Sequence, residues 1–304
     1  IILDSKYDLN EQLQFYECDL RDESKIENIF KENISESKKI DAVIHFAGLK
    51  AVAESAKDPL RYFDFNVLST INLLKIMEKF NCKNIVFSSS ATIYGNSGKD
   101  CNLIEDANKD PINPYGETKV VIEKILKNLS LSSNNWSISI LRYFNPIGAH
   151  PSGLLGEKSL GAPNNIFPII NEVASGERKN LIIYGNDWDT NDGTGVRDYI
   201  HVMDLADGHV SALEYLFKNN GEITHLNLGT GNGTSVLKLI SIFKSVNNID
   251  IPYLFSRRRE GDVARLVADI SLAKEKLNWL PMRDLETMCR DGWEWHKQNI
   301  DYYK

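Results

Sequence analysis

Apolar and polar positions in the first half of the chain switch repeatedly between two periods. Asp41-Ala-Val-Ile-His-Phe-Ala-Gly48 is a short apolar run closed by a glycine, which predicts a buried strand. Val67, Ile71, Leu74 and Met77 recur at helical spacing and predict a helix with one face on the core. Asn84-Ile-Val-Phe-Ser-Ser reads as a second strand. Asn113-Pro114 then opens a helix, with Asn113 as N-cap and Pro114 in the first turn, and its apolar face runs through Val121, Ile122, Ile125 and Leu129. Ser137-Ile-Ser-Ile-Leu-Arg-Tyr143 returns as a strand. Short strands alternating with amphipathic helices predict an α/β fold built on a doubly wound parallel sheet.

From about Ala149 the pattern changes. Gly, Asn, Asp and Pro become frequent, as in Gly156, Gly161, Pro163, Asn164, Asn165 and Asn186-Asp187-Trp188-Asp189, which suits a smaller, loop-rich region over the ligand edge of the sheet. Helical spacing resumes near Met203–Phe217, Val236–Val246 and Leu272–Leu277. The expected division is residues 1–148 and residues 149–304, with some later segments returning to the first domain.

Composition narrows the class without choosing a function. The 304 residues are 42% hydrophobic and 25% charged, as in ordinary globular proteins. A formal charge of −7 gives no bulk attraction to nucleic acid or anionic membrane, and neither partner is expected. The one basic run, Arg257-Arg258-Arg259, is either a solvated loop or a local phosphate clamp. Cys18, Cys82, Cys101 and Cys289 lie far apart, without metal-ligand spacing, and are expected to be reduced, packed thiols of a cytoplasmic protein with no bound metal.

The chemistry-bearing residues centre on the helix that Asn113 opens. Tyr115 and Lys119 are four apart and share a helical face. A phenol with a pKa near ~10 is a poor base at neutral pH, and a nearby ammonium lowers that pKa. Taken alone, Y-x-x-x-K is weak, since about one chance match is expected in a chain of this size. Its setting is rarer: upstream, a strand ends in Ser88-Ser89-Ser90-Ala91-Thr92, at the carboxyl edge where such sheets bind ligands.

Longer segments carry a resemblance. His45-Phe-Ala-Gly-Leu-Lys50, Phe87-Ser-Ser-Ser-Ala-Thr-Ile-Tyr-Gly95, Pro114-Tyr-Gly-Glu-Thr-Lys119 and Leu141-Arg-Tyr-Phe-Asn-Pro146 are similar to segments of the UDP-sugar 4-epimerases, those acting on UDP-glucose above all, in the extended short-chain dehydrogenase/reductase family. Pro163-Asn-Asn165, Asp192–His201 and Arg259-Glu-Gly-Asp262 follow in the same order. The resemblance implies a Rossmann-type domain, bound NAD, and inversion at C4 of a UDP-hexose through a 4-keto sugar that turns and is reduced again. It makes Tyr115 the acid/base, Lys119 its tuner and holder of the nicotinamide ribose, and Ser90 the group that orients the sugar. Asp4 corresponds to the residue on the adenosine ribose, and Asp19, Leu20, Phe46, Ala47, Gly48, Lys50, Asn66, Ser88 and Phe144 to others lining the cofactor site. Lys50, Asn145, Asn165, Tyr184, Arg197, Arg259 and Asp262 correspond to UDP-sugar contacts, and Leu266 to the position beside the sugar C2 substituent. Arginine suits a diphosphate because its planar fork donates paired charged hydrogen bonds. Arg197-Asp198 as a structural ion pair, Arg259 as a rim charge and Tyr184 as core packing are the competing readings. Leu266, smaller than the aromatic that excludes N-acetyl sugars, implies tolerance of UDP-GlcNAc and UDP-GalNAc.

The family opens with a strand and G-x-x-G-x-x-G, about 25–30 residues that would stand before Ile1. A chain truly starting at Ile1 is expected to lose NAD binding and activity. Near alternatives are another nucleotide-sugar epimerase or a dehydratase, although dehydratases usually set acidic residues beside the active-site Ser/Thr, where this chain has Ser90-Ala91-Thr92. The alternative in another class is a non-catalytic nucleotide-sugar-binding protein. The helices carrying Val67–Met77 and Val121–Leu129 resemble the pair that forms a helical bundle in family dimers, so a homodimer is expected.

Overall fold

The computed structural model describes residues 13–34, 39–98, 101–133, 135–158, 163–259 and 261–299. Asp4 and Glu260 lie outside the described residues. The elements run α1 (Glu23–Glu32), β1 (Ala42–His45), α2 (Val52–Lys57), α3 (Pro59–Tyr62), a π-helical turn over Phe63–Leu68, α4 (Ser69–Lys79), β2 (Asn84–Ser90) and a 3-10 turn over Ala91–Tyr94. There follow α5 (Pro114–Ser132), β3 (Ser137–Tyr143), β4 (Asn145–Ile147), α6 (Ile166–Ala174), β5 (Leu181–Tyr184), β6 (Val196–His201) and α7 (Val202–Lys218). The last are β7 (Ile223–Leu228), β8 (Gly233–Ser235), α8 (Val236–Asn247), β9 (Tyr253–Ser256), β10 (Arg265–Leu266), α9 (Ser271–Leu277) and α10 (Leu285–Asn299).

One sheet has the order β1-β2-β3-β7, with β1 and β2 parallel in the register Ala42↔Asn84 to His45↔Phe87. The connection between them, through α2, α3 and α4, is the crossover that parallel neighbours require. A second sheet has the order β10-β6-β4 with β8 antiparallel on β6, and β5 and β9 pair in parallel as a third. The parallel α/β class expected from the strand–helix alternation is therefore present. The first strand differs in detail. It stops at His45, and Ile44 is exposed.

The chain forms two compact units, one from residues up to Ser89 with Asn113–Ile140 and Ala212–Thr224, the other from Ser90–Ile112, Leu141–Ser211 and His225 onward. The first has a core of Ile26 and Phe30 from α1, Leu73, Ile76 and Met77 from α4, Ile85 and Phe87 from β2, Ile122 and Leu126 from α5, and Ile138 and Ile140 from β3. Each helix contributes one stripe, as the apolar spacing required. The second has its own core, with Phe167 and Ile170 of α6, Leu239 and Phe243 of α8 and Trp293 of α10. All four cysteines are free thiols; Cys82 and Cys289 are buried, whereas Cys18 is half-buried and Cys101 exposed, so packing accounts for only two of them. No helix among the described residues is long and apolar enough to cross a membrane.

Two polar features hold the first unit in register. The π-helical turn carries one residue too many for an α-helix. Hydroxyls of the next turn bond back to its carbonyls: Thr70 Oγ1 donates to Asn66 O at 2.6 Å and Ser69 Oγ to Phe65 O. Beside it His45, 2% exposed, has Nε2 2.9 Å from Thr70 Oγ1. Burial first, then the Lys119 cation, pull the His45 pKa down to about 3. The unfolded chain, with a histidine pKa of about 6.5, therefore takes up a proton that the folded chain refuses, and stability falls as pH drops from about 6.5 toward 3. Urea denaturation at pH 7 and pH 4.5 should show wild type losing more stability than His45→Gln, by up to about 1.4 kcal/mol per pH unit. Equal losses would show that His45 does not titrate differently in the two states.

Candidate active site

In the first unit the candidates gather where β1 and β2 end, the edge at which parallel sheets bind ligands. After His45 the chain leaves the sheet. Phe46, Ala47 and Lys50 are exposed, and Gly48 has φ +155°, where a Cβ would meet Asn66 Oδ1 at 3.0 Å. Asn66 is buried in the π-helical turn. It accepts from Leu49 N at 2.7 Å and donates to Leu49 O at 3.0 Å and to Thr118 Oγ1 at 3.0 Å. One amide thus ties the loop after β1 to α5.

Asn113 Oδ1 accepts from Gly116 N at 2.9 Å and fixes the start of α5, with Pro114 in its first turn. Tyr115 and Lys119 follow one turn apart, both buried. Lys119 Nζ donates to Ser88 O at 2.8 Å and lies 4.8 Å from the Phe87 ring centroid and 5.8 Å from that of Tyr115. Burial lowers the Lys119 pKa to about 8, against the upward pull of Glu123. A cation held beside a phenol favours the phenolate, the form that accepts a proton. Ser88 thus enters through its backbone carbonyl. Asp19 is engaged by Arg21, with Oδ2 2.7 Å from Nη2, and hydrogen bonds from Arg21 hold its pKa down to about 2. Leu20 packs against the first core.

The other candidates belong to the second unit. Ser90 Oγ accepts from Thr92 N at 3.3 Å and Thr92 Oγ1 at 3.0 Å, capping the 3-10 turn. Phe144 is buried, its N–H donating to Leu228 O at 3.3 Å, and Asn145 sits on β4 opposite Tyr199. Arg197, on β6, donates to Val196 O and Val263 O, both at 2.9 Å, and has Nη2 3.9 Å from Asp262 Oδ1. Arg259 grips the same carboxylate with Nε at 3.2 Å and Nη2 at 2.9 Å, and its guanidinium stands 5.6 Å from the Tyr184 ring centroid. Two guanidiniums share one carboxylate, which leaves an excess positive charge suited to an anion. Leu266 is aligned with Arg197 in the β10–β6 register and is buried. Asn165 is exposed at the N-cap of α6 without a side-chain cap bond. Of the basic run, Arg258 is engaged by Asp187 and lies 4.2 Å from the Trp188 ring centroid.

Tyr184 is 44% exposed, so it is not core packing. Arg197 and Asp198 do not form the ion pair weighed above. Adjacent strand residues point to opposite faces. The Asp198 carboxylate accepts from Thr230 N at 2.7 Å, Thr230 Oγ1 at 2.6 Å, Gly231 N at 3.0 Å and Ala268 N at 3.1 Å. Sequence reasoning also missed the buried chain in which Arg142 Nη1 donates to Tyr94 OH at 2.9 Å and Tyr94 OH to Asn227 Oδ1 at 2.7 Å. It missed Glu123, whose spacing of four from Lys119 was the available signal. Asp198→Ala would strand one buried and two part-buried N–H donors, and urea denaturation should register a loss of roughly 2–4 kcal/mol; a loss under about 1 kcal/mol would mean that water takes the carboxylate's place.

Known proteins provide an independent measure. The profile of the family described as GDP-mannose 4,6 dehydratase matches residues 2–292. The UDP-glucose 4-epimerase of Bacillus subtilis (strain 168) is 49% identical over 292 residues, covering 96% of this chain and 84% of that protein. The crystal structure of UDP-glucose 4-epimerase from Bifidobacterium longum in complex with NAD⁺ and UDP is 44% identical with a TM-score of 0.90, over 96% of this chain and 85% of that one. The enzyme from Stenotrophomonas maltophila, with bound NAD and formylated UDP-arabinopyranose, is also 44% identical with a TM-score of 0.90, over 95% of this chain and 84% of that one.

Proposed function

The chain belongs to the UDP-glucose 4-epimerases of the extended short-chain dehydrogenase/reductase family, and on that footing we propose that it interconverts UDP-glucose and UDP-galactose with NAD⁺ as resident cofactor. The observation that carries this reading is Lys119 Nζ fixed on Ser88 O one helical turn from Tyr115, at the carboxyl end of β2. The chemistry supplied by bound NAD⁺ is acceptance of a hydride from the sugar C4 and its return to the opposite face. The residues suit such a group. Gly48 leaves the loop after β1 without a side chain where a Cβ would press on Asn66 Oδ1, and Phe46, Ala47, Lys50, Asp19 and Leu20 complete the assignment to the cofactor.

Tyr115, as phenolate, takes the proton of the sugar 4-hydroxyl and gives it back when the 4-keto sugar is reduced. Lys119 stabilises the phenolate in both directions. Ser90 hydrogen-bonds the reacting hydroxyl, and Arg197 and Arg259 receive the diphosphate, exchanging part of their hold on Asp262. Asn145, Asn165 and Tyr184 are assigned to the UDP-sugar. A dehydratase reading has the name of the matching family profile behind it. Against it, the residues after Ser90 are Ala91 and Thr92, with no carboxylate.

The test is turnover of UDP-galactose to UDP-glucose by the NAD-loaded protein. Tyr115→Phe should lower kcat by about 10²–10⁴-fold with little change in KM, and a fully active variant would remove Tyr115 from the mechanism. Leu266 stands for tolerance of N-acetyl sugars, and the same assay with UDP-GalNAc should give turnover; none from an enzyme active on UDP-galactose would overturn that specificity.

The protein is further assigned as a cytoplasmic homodimer. Its four free thiols suit a reducing compartment, and Leu60, Phe63 and Leu68, all exposed, give the helical segment leading into α4 an apolar surface for a second copy. Light scattering should return twice the chain mass, and a monomeric mass would refute the dimer.

A further inference from the structure

Behind the Tyr115–Lys119 pair lies a third ionisable residue that the mechanism above does not use. Tyr115, Lys119 and Glu123 are spaced at i, i+4 and i+8 on α5 and share one face. Glu123 is 4% exposed, as buried as Lys119 itself. Its Oε1 accepts from Ser89 Oγ at 2.7 Å, while the neighbouring Ser88 carbonyl takes the Lys119 ammonium at 2.8 Å. Consecutive residues of β2 therefore address consecutive turns of α5, one holding the cation and the next holding the carboxylate.

A carboxylate is not placed in an apolar interior without a reason. Desolvation of an isolated ion costs many kcal/mol, and a nearby charge of opposite sign offsets part of that cost. Lys119 puts such a charge one helical turn from Glu123, with both side chains buried. We infer that Glu123 is the internal counterion of Lys119, oriented by Ser89, and that it acts as a positioning residue that keeps Lys119 cationic and, through it, keeps Tyr115 available as phenolate.

Among the described residues, Glu123 is the negative charge that acts on Lys119. β2 faces it with Phe87, Ser88 and Ser89, none of them charged. β1 contributes His45, which burial keeps neutral above a pKa of about 3. From α5 itself come Tyr115 and Glu123. The segments α2 and α3 and the π-helical turn also pack on α5; there Glu54 is bound to Arg61 at 2.6 Å and to the Tyr62 hydroxyl at 2.8 Å, Asp64 is bound to Arg21 at 2.7 Å, and Lys57 is exposed. The directions agree with this geometry, since burial pulls Lys119 down to about 8 and Glu123 alone pulls it up. Without the carboxylate, Lys119 would shed its proton at lower pH, and a neutral amine no longer lowers the pKa of the phenol.

This inference rests on the proposed pairing of Tyr115 with Lys119, and two readouts keep them separable. The first is the pH profile of kcat. In Glu123→Gln the alkaline limb should move down by about one pH unit, leaving about tenfold less activity near pH 8.5 but activity within about threefold of wild type near pH 6.5. Glu123→Asp should recover most of the profile, and Ser89→Ala should shift it in the same direction by less. The second is the tyrosinate absorbance of the protein without substrate, taken as the difference between each form and its Tyr115→Phe counterpart. Its midpoint should rise in Glu123→Gln and return in Glu123→Asp. A uniform fall in kcat with an unmoved profile and an unmoved phenolate midpoint would overturn the inference and leave Glu123 a packing residue. If Glu123→Gln does not fold, Ser89→Ala and Glu123→Asp carry the same test. Loss of epimerase turnover in wild type would sink the functional reading alone, because the phenolate titration still reports on Glu123.

Discussion

The first unit depends on a cation kept out of water. The Lys119 ammonium sits among Phe87, Ser88 and Tyr115, and an ion in that position dictates what surrounds it. It needs an acceptor at fixed distance, which the Ser88 carbonyl at the end of β2 provides. It needs a helix whose first turn cannot fray, which Asn113 and Pro114 secure. It needs its neighbours neutral or anionic, and His45 is held neutral by burial. In the proposed reaction the same cation favours the phenolate of Tyr115.

The second unit is arranged about anions rather than a cation. Asp198 is saturated by four donors from two loops and serves only to hold them. Asp262 is gripped by two arginines without saturating either. The contrast separates a structural carboxylate from one that can give way: the first has every lone pair met by backbone or hydroxyl, the second is met by side chains with donors to spare.

Much of this was legible in the sequence. The Asn-Pro start of α5, its apolar stripe and the pairing of Tyr115 with Lys119 are local properties, fixed by capping and by 3.6-residue periodicity. What escaped was contact between distant segments. The role of Asn66 depends on Leu49 and Thr118, and nothing around it in the chain announces them. Asp198 read naturally as a partner of the adjacent Arg197, whereas strand alternation turns the two apart. Glu123 fell between residues taken as an apolar face, and only the depth of its burial separates it from a solvated helix charge. Ser88, expected among the cofactor contacts, appears in the first unit through its carbonyl on Lys119, an atom that any residue type would have supplied.

The π-helical turn before α4 has a consequence for how this chain can vary. An extra residue in a helix rotates everything after it by about 100°. Here it lets Asn66 face the loop after β1 while Leu73, Ile76 and Met77 still meet the core. The position of Asn66 is thus encoded in how many residues the helix contains, as well as in which residues they are. Substitution scanning would find Asn66 but would not detect that count. Deleting a single residue from Phe63–Leu68 would re-phase the amide against the core while leaving composition and hydrophobic pattern almost untouched, so relatives aligned with a gap there differ in geometry more than their identity suggests.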